Sequence, residues 1–395
     1  MSLCLNMIVK DESHIIEDTL ENICRYFPIT YWVISDTGSS DNTIAIIKNF
    51  FKKKGIKGEI HQESWKNFSH NRNAALYACR DKADYVLIFD ADDSVEGDLN
   101  LPKLSKDAYY FQMSNESNTL KYYRKLIVKN NGTYKWYGVL HEFLKSDDEK
   151  AREEVNGEYF VMSGRKGNRS LNKNKYSDDA EMLKQAYLSG EDVDLLPRYA
   201  FYCAQSYRDA GLIDEAIEWY KERAILENKG WKDEVYCSYK ELGLLLEKKG
   251  NYKDALYYWR LGVELDPMRG ECWYQLSRRH SWNKSTALAY VYAKQASELS
   301  MPEGNRLFVI KNIYQYWSYY EWCLNAYKLG KIEESYQAFK KLTVHCTEDL
   351  INRVAHQVKD YRDLILNDSF DNIRLLILNL NRLNKIKLLD EAINE

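Results

Sequence analysis

The chain has 395 residues, of which 45% are hydrophobic and 29% are charged, and its formal net charge is −3. This length favours two domains, and the nearly balanced charge gives no signal for nucleic acid or an anionic membrane as a partner. The eight cysteines form no C-x-x-C pair and no apolar run is long enough for a membrane span, so we expect a cytoplasmic protein with free thiols.

Up to about residue 145, β-rich runs alternate with helical ones. Such alternation is typical of βαβ units, which build a Rossmann-like, largely parallel sheet. The sequence therefore predicts an α/β N-terminal domain over residues 1–145. Its predicted strands are 3–9, 31–35, 59–62 and 85–89, and its predicted helices are 12–26, 43–53 and 69–79.

The second half has a different period. Residues 146–196 are predicted to be a connecting segment, which is polar and irregular up to about residue 175. From 197 to 395, pairs of helices recur with glycine-containing turns, as at Gly211 and Gly250. The spacing resembles a degenerate tetratricopeptide repeat (TPR), so we predict an all-α repeat domain. Such a solenoid offers a groove for a peptide or partner protein, or else buttresses the first domain and stabilises a homodimer.

Three carboxylates, Asp90, Asp92 and Asp93, follow directly after the predicted strand at 85–89. The D-x-D spacing lets Asp90 and Asp92 face one divalent ion, and hard oxygen ligands suit Mg²⁺ or Mn²⁺. A metal at the carboxyl edge of an open α/β sheet can clamp a diphosphate. The alternative is a surface turn with solvated acids.

Three other side chains are candidates for contacts with a nucleotide. Asp36 follows the second strand, where its carboxylate can accept from a uracil N–H or from ribose hydroxyls. Asp11, at the end of the first strand, is either a second nucleoside contact or the N-cap of the first helix. Arg72, on the third helix, offers a planar fork of donors to a phosphate, although a lone arginine on a helix is more often solvated.

An aromatic–Gly–His–Glu cluster occupies residues 136–142. The neutral imidazole of His141 can be a further ligand of the same ion. Glu142 can act as the base that deprotonates an acceptor hydroxyl, and Asp93 is a second candidate for that role. The alternative for His141 is a hydrogen-bonded core residue.

Five motifs occur in order along the chain. They are Ile8-Val9-Lys10-Asp11-Glu12, the stretch 35–43, Asn71-Arg72-Asn73-Ala74, Phe89-Asp90-Ala91-Asp92 and Gly138-x-x-His141-Glu142. Together they resemble family 2 glycosyltransferases of the GT-A fold, in particular the subgroup with TPR-like repeats behind the catalytic domain. That subgroup is similar to lipopolysaccharide-core transferases and peptide S-glycosyltransferases.

The resemblance implies a nucleotide-sugar donor, with Asp11 and Asp36 at the nucleoside and a divalent metal between Asp90 and Asp92. It also implies inversion at the anomeric carbon without a covalent intermediate. The chain has aspartate at position 11 where asparagine is commoner in the family. It also lacks the Glu-Asp pair that usually supplies the catalytic base, so Glu142 is inferred from its position alone.

The predicted reaction is metal-dependent transfer of a sugar from a UDP-sugar to a protein or glycan acceptor. One rival is a nucleotidyltransferase, but such enzymes typically carry a glycine-rich loop after the first strand, and residues 9–12 contain no glycine. The other rival is an adaptor in which the repeats bind a peptide and the first domain is inactive. Mutually repelling carboxylates at 90 and 92 argue against a mere scaffold.

Overall fold

The computed structural model forms two compact units, residues 1–216 and 217–395. The predicted limits at residues 145 and 196 differ from this division, because helices up to residue 209 group with the sheet of the first unit. The residues that the structure describes are 1–114, 121–164, 166–304 and 306–394.

The first unit is built on a mixed sheet that, over the described residues, has the strand order β3-β2-β1-β4-β7-β6-β11-β5, with β10 beside β6. A separate hairpin pairs β8 with β9. The strands are β1 (Leu3–Val9), β2 (Tyr31–Asp36), β3 (Lys57–Gln62), β4 (Tyr85–Ile88), β5 (Ser94–Asp98), β6 (Ala108–Ser114), β7 (Lys121–Lys129), β8 (Lys135–Tyr137), β9 (Phe143–Lys145), β10 (Arg152–Val155) and β11 (Glu158–Met162).

Helices cover the sheet with faces that the sequence spacing predicts. In α1, Ile16, Leu20 and Ile23 recur at helical spacing and are all fully buried. In α3, the side chain of Asn67 caps the first turn by accepting from the His70 amide. The helices of this unit are α1 (Ile16–Tyr26), α2 (Thr43–Lys54), α3 (Phe68–Ala78), α4 (Lys175–Ser189) and α5 (Leu196–Asp209), with 3₁₀ turns at Asn168–Leu171 and Val193–Leu195.

The parallel strands β3-β2-β1-β4 confirm the predicted α/β class. The chain runs outward from β1 to β3 and then returns to place β4 on the other side of β1. This reversal creates a crevice at the carboxyl ends of β1 and β4, where ligands of open α/β sheets usually bind. The predicted helix 12–26 begins only at Ile16, because residues 12–15 form a turn in which the Ile15 amide donates to the Glu12 carbonyl at 3.1 Å.

The prediction of an irregular segment after residue 145 was wrong in part, because β10 and β11 lie within it. These strands were missed since their partners are distant in sequence. Arg152 of β10 pairs with Ala108, and Glu158 of β11 pairs with Asp98. In β10, three consecutive charged residues, 152–154, also hide the two-residue alternation of a half-buried strand.

The second unit is all-α over its described residues, as predicted. Gly250 and Gly330, with φ of 79° and 72°, provide left-handed turns between successive helices, and the small Ala255 is fully buried. The remaining helices are α6 (Ile213–Ile225), α7 (Lys232–Lys248), α8 (Tyr252–Leu265), α9 (Gly270–Trp282), α10 (Thr286–Ser297), α11 (Ser318–Lys328), α12 (Ile332–Thr343), α13 (Glu348–Asn352), α14 (Arg362–Leu366), α15 (Phe370–Arg382) and α16 (Lys387–Asn394), with a π-turn at Ile313–Trp317 and a 3₁₀ helix at Ala355–Tyr361. None of the described helices is both long and apolar enough to cross a bilayer.

Candidate active site

The predicted acidic residues gather at one edge of the parallel sheet. Asp36 is the last residue of β2, and Asp11 and Asp90 follow the ends of β1 and β4. Since β1 pairs in parallel with both of the other strands, their carboxyl ends meet at this edge. The sheet therefore brings all three together at the crevice between β1 and β4.

Arg72 joins two of the predicted site residues. Its Nη2 donates to Asp90 Oδ1 at 2.6 Å, and its Nε donates to Glu142 Oε1 at 2.6 Å. The ring of Trp136 lies 5.1 Å from the guanidinium carbon. The side chain is only 11% exposed. Burial disfavours the charged form, but Asp90 and Glu142 outweigh it and raise the pKa of Arg72 above its ordinary value.

Arg124 on β7 completes the cluster and was not predicted. Its Nη1 lies 3.2 Å from Asp90 Oδ2 and its Nη2 lies 2.5 Å from Asp93 Oδ2. Burial raises the pKa of the Asp93 carboxyl to about 6, with Arg124 opposing the shift and Asp90 adding to it. For Asp90, burial is outweighed by the two arginines, which lower its pKa to about 2.

The carboxylates nearest the sheet edge also accept from backbone amides. Gly164 donates to Asp93 Oδ1 at 3.2 Å, Gly167 donates to Asp92 Oδ2 at 3.3 Å, and Asn168 donates to Glu12 Oε2 at 3.1 Å. Burial raises the pKa of Glu12 to about 7, although the Asn168 amide opposes this. A segment that comes after β11 thus lies over the predicted metal-binding aspartate.

Asp36 and Asp11 are both engaged in the turns that bear them. The Asp36 carboxylate is 2% exposed and accepts from the amides of Gly38 and Ser39. Asp11 accepts from the amide of Ser40 at 2.7 Å. These bonds hold the loops after β1 and β2 together, and the predicted nucleoside contacts of both aspartates stay predictions.

Two cavities open at this edge. The main cavity, of about 430 Å³, is lined by Arg72, Asp90, Arg124 and Glu142 among others. The side cavity, of about 370 Å³, is lined by residues that follow β1 and β2, including Thr37. The two share four lining residues and are therefore neighbours; these are Phe68, Arg169, Lys175 and Asp179. Together they have room for an elongated ligand along the sheet edge.

His141 also lines the main cavity but is engaged elsewhere. Its ring stacks on Tyr202 with centroids 3.9 Å apart, and its carbonyl accepts from Arg198. His141 as a whole residue is exposed, but its ring is surrounded by protein atoms. Burial of the ring, and after it the positive charge of Arg198, lower the imidazole pKa to about 3. A neutral ring is the form that binds metals.

The metal prediction fits the residues in part. Asp90 and Asp92 place hard carboxylate oxygens at the sheet edge, the donor type that Mg²⁺ and Mn²⁺ prefer. Within the described ranges, no three His, Cys, Asp or Glu residues are grouped as a metal cluster. The assignment of His141 as a third ligand stays a prediction, as do the catalytic roles of Glu142 and Asp93.

The fold and the charged edge define an open α/β domain with a crevice at the carboxyl ends of its parallel strands. Residues 4–110 match the family model "Glycosyl transferase family 2". The N-terminal part of the chain is therefore a domain of that family, and the protein carries a glycosyltransferase domain as predicted. No curated protein sequence matches the chain.

Solved structures show weaker likenesses. S. aureus TarS 1-349 in complex with UDP-GlcNAc is 13% identical, with 66% of this chain and 90% of that chain covered and a TM-score of 0.37. YrrB, a TPR protein, is 16% identical over 54% of this chain and 92% of that chain, with a TM-score of 0.35. MamA from Desulfovibrio magneticus RS-1 is 15% identical, with 55% of this chain and 98% of that chain covered and a TM-score of 0.30. Because the identities and TM-scores are this low, these structures add no argument to the family match.

Proposed function

We propose that this protein transfers a sugar from a UDP-sugar to a protein or glycan acceptor, with inversion at the anomeric carbon and with dependence on Mn²⁺ or Mg²⁺. The observation that carries the proposal is the charged cluster of Arg72, Asp90, Arg124 and Glu142 at the switch point of a family 2 domain. The two arginines can bind the diphosphate of the donor, and the Glu142 carboxylate can act as the base toward the acceptor hydroxyl.

The nucleoside is placed in the side cavity. Its lining includes Lys10, Glu12 and Thr37, the neighbours in sequence of Asp11 and Asp36, and Asp36 remains the candidate for accepting the uracil N–H. Since its carboxylate already orders the turn at Gly38, its position is fixed before the nucleoside binds. Such preorganisation reduces the entropy cost of binding.

The diphosphate is placed in the main cavity against Arg72 and Arg124. Two guanidinium groups on rigid elements, α3 and β7, stabilise the charge that develops as the sugar leaves. Both arginines line this cavity, so phosphate oxygens can accept from them there. When bound, a divalent ion held by Asp90 and Asp92 would add Lewis-acid stabilisation to the same leaving group.

Glu142 is the stronger candidate for the base. It lines the main cavity, and Arg72 fixes the position of its carboxylate. Asp93 is 2% exposed and lines a different cavity, together with Thr19 and Asn22 of α1. The acceptor hydroxyl would lose its proton to Glu142 Oε as it attacks the anomeric carbon from the face opposite to the diphosphate.

The test is UDP release from a panel of UDP-sugars, with Mn²⁺, with Mg²⁺ and with EDTA. We expect slow hydrolysis of one donor with the metal and none with EDTA. Asp92→Asn should abolish turnover, and Glu142→Gln should reduce it while UDP binding persists. The matched control is Asp98→Asn on the exposed end of β5, which should behave as wild type.

Wild-type turnover in Asp92→Asn would contradict the metal role. Absence of hydrolysis and of UDP binding in the wild-type protein would contradict the transferase proposal as a whole. The adaptor alternative, with a peptide bound by the helical unit, would then be the one to pursue.

A further inference from the structure

A third cavity, of about 350 Å³, lies on the first unit apart from the main and side cavities. We call it the basic cavity, because Arg80, Lys129 and Lys135 line it and no carboxylate does among the described residues. In the main cavity, by contrast, Asp90, Glu142 and other acids accompany the cations. In a chain of net charge −3, this local excess of three positive charges points to an anionic ligand.

Three tyrosines add flat surfaces to the same cavity. Tyr77 is 65% exposed and Tyr137 is 36% exposed, whereas Tyr134 forms a buried wall. Arg80 lies 4.4 Å from the ring of Tyr77, and Lys135 lies 5.4 Å from the ring of Tyr137. An exposed aromatic ring beside a cation suits a ligand with both an apolar face and a negative charge, such as a sugar ring bearing carboxylate or phosphate.

The cations are available to a ligand. Arg80, Lys129 and Lys135 are exposed. Arg80 donates weakly to the carbonyl of Gly132 at 3.3 Å. The acid that acts on Lys129 through space is Asp107, whose carboxylate already accepts from the amides at positions 150 and 151.

The basic cavity is linked to the main cavity by the β8–β9 hairpin. Side chains alternate along β8, so Trp136 contacts Arg72 in the main cavity while Lys135 and Tyr137 line the basic cavity. Tyr137 stacks on Phe143 of β9 at 5.7 Å. Glu142, the residue before Phe143, lines the main cavity. The same hairpin therefore carries Lys135 and Tyr137 of the basic cavity and Glu142, the candidate base, of the main cavity.

We infer that the basic cavity binds an anionic glycan and holds it as the acceptor of the transfer reaction. The acceptor role rests on the proposed function, but glycan binding by this cavity is measurable without it. A peptide rich in acidic residues would satisfy the cations as well, but it lacks the flat apolar faces that Tyr77 and Tyr137 match.

The test uses three fluorescent probes on the full-length protein: oligogalacturonate, dextran of equal length and poly-glutamate of equal charge. We expect binding of oligogalacturonate that weakens with salt, at least about tenfold weaker binding of poly-glutamate, and no binding of dextran. The variant Lys129→Ser/Lys135→Ser should weaken oligogalacturonate binding roughly tenfold or more, since hydrogen bonds to charged groups are the stronger ones. Tyr77→Ser should weaken it while leaving poly-glutamate unchanged.

Matched controls are Lys52→Ser/Lys53→Ser on α2 and Tyr257→Ser on α8, which remove the same groups from exposed positions elsewhere. Equal binding of poly-glutamate and oligogalacturonate, or an effect of Tyr77→Ser on neither probe, would overturn the glycan assignment. Binding that the control variants reduce equally would overturn the location.

A UDP thermal-shift measurement on the same preparations separates the two proposals. A UDP shift without oligogalacturonate binding would leave the donor site standing and overturn the basic cavity as an anionic-glycan site. Oligogalacturonate binding without a UDP shift would support the cavity as a glycan site and overturn its role as the acceptor site of a UDP-sugar transferase.

Discussion

The two units handle charged groups in opposite ways. In the helical unit, Arg269 and Glu271 are 1% and 0% exposed and form a two-point ion pair at 3.1 and 3.2 Å. Tyr236, Tyr314 and the amide of Ile310 also donate to Glu271. We call this network closed, because Arg269 and neutral donors surround the buried Glu271 carboxylate; Arg269 Nη1 makes no hydrogen bond but lies 3.5 Å from Asp233 Oδ2.

At the sheet edge the charges remain open. Arg72 and Arg124 share Asp90, and each binds one further carboxylate. Three acids, Asp90, Asp93 and Glu142, thus face two arginines, and the cluster lines the main cavity through Asp90, Glu142 and both arginines. Like charges held together without full neutralisation cost stability, which is a common signature of a binding or catalytic site. The comparison teaches that the closed network stabilises the fold, whereas the open cluster requires a ligand.

The largest expected effect is on the closed network. Arg269→Met leaves Glu271 buried without its cation and should destabilise the protein by about 3–5 kcal/mol, as expected when one partner of a buried ion pair is removed. Urea denaturation followed by circular dichroism measures the change. The exposed Arg260→Met on α8 is the matched control and should shift stability by less than about 0.5 kcal/mol. Equal effects of both variants would show that the network is not what stabilises this unit.

In the open cluster, the corresponding change should affect turnover instead. Arg72→Lys keeps the positive charge but cannot bridge Asp90 and Glu142, so we expect roughly a 100-fold loss of UDP release from the donor, the scale seen when one preorganised donor to a developing charge is removed. The melting temperature should change little. A variant that lost stability but kept its specific activity would place Arg72 with the structural charges.

The pH dependence of stability gives a third comparison. Burial raises the pKa of both Glu12, at the sheet edge, and Glu321, in α11, to about 7. Since the folded state then holds a proton that the unfolded state releases above pH 4.5, each group favours folding below that pH. This contribution is lost as the pH rises to 7.

Glu12→Gln and Glu321→Gln should therefore each gain stability relative to wild type on going from pH 5 to pH 8, by about 1–3 kcal/mol. Melting curves in metal-free buffer measure this. A pH profile unchanged from wild type in both variants would contradict the burial of these carboxyls.

The smallest effect concerns the turns of the repeats. Gly250 has φ 79°, and a Cβ added there would meet open space, so Gly250→Ala incurs only the backbone penalty of about 1–2 kcal/mol. Gly211, with φ 80° and equally open space, is the matched position in the first unit. Denaturation midpoints of the two variants should shift by similar amounts. A stabilised Gly250→Ala would show that the left-handed turn is not required.

The parallel half of the sheet was predictable because its signals are local. The run at 85–88 is buried on both faces, and each strand up to it is followed by a turn and an amphipathic helix. Much of the other half was not, because pairings such as β5 with β11 and β4 with β7 join segments distant in sequence. The sequence also suggests that sugar identity depends on loops around residues 109–124. The structure has residues 109–114 in β6 and 121–124 in β7, and residues 115–120 lie outside the described residues.

The same distinction holds for the site. Asp90 and Asp92 were found from their place after a buried strand, and Arg72 and Glu142 from motif order. Arg124 carried no such signal, since its role depends on the antiparallel pairing of β7 with β4, which points it at Asp90. The motifs therefore identified side chains that follow the parallel strands, but they did not identify Arg124, which lies on the antiparallel strand β7.

The most direct test of the open cluster as a donor site is a thermal-shift titration of the wild-type protein and Arg72→Lys with UDP, with and without Mn²⁺. Binding at 100 times the dissociation constant stabilises the folded state by about 2.7 kcal/mol, which raises the melting temperature measurably. We expect a Mn²⁺-dependent rise for wild type that is much reduced in Arg72→Lys. No rise in wild type, or the same rise in both proteins, would contradict the assignment of this cluster to the donor.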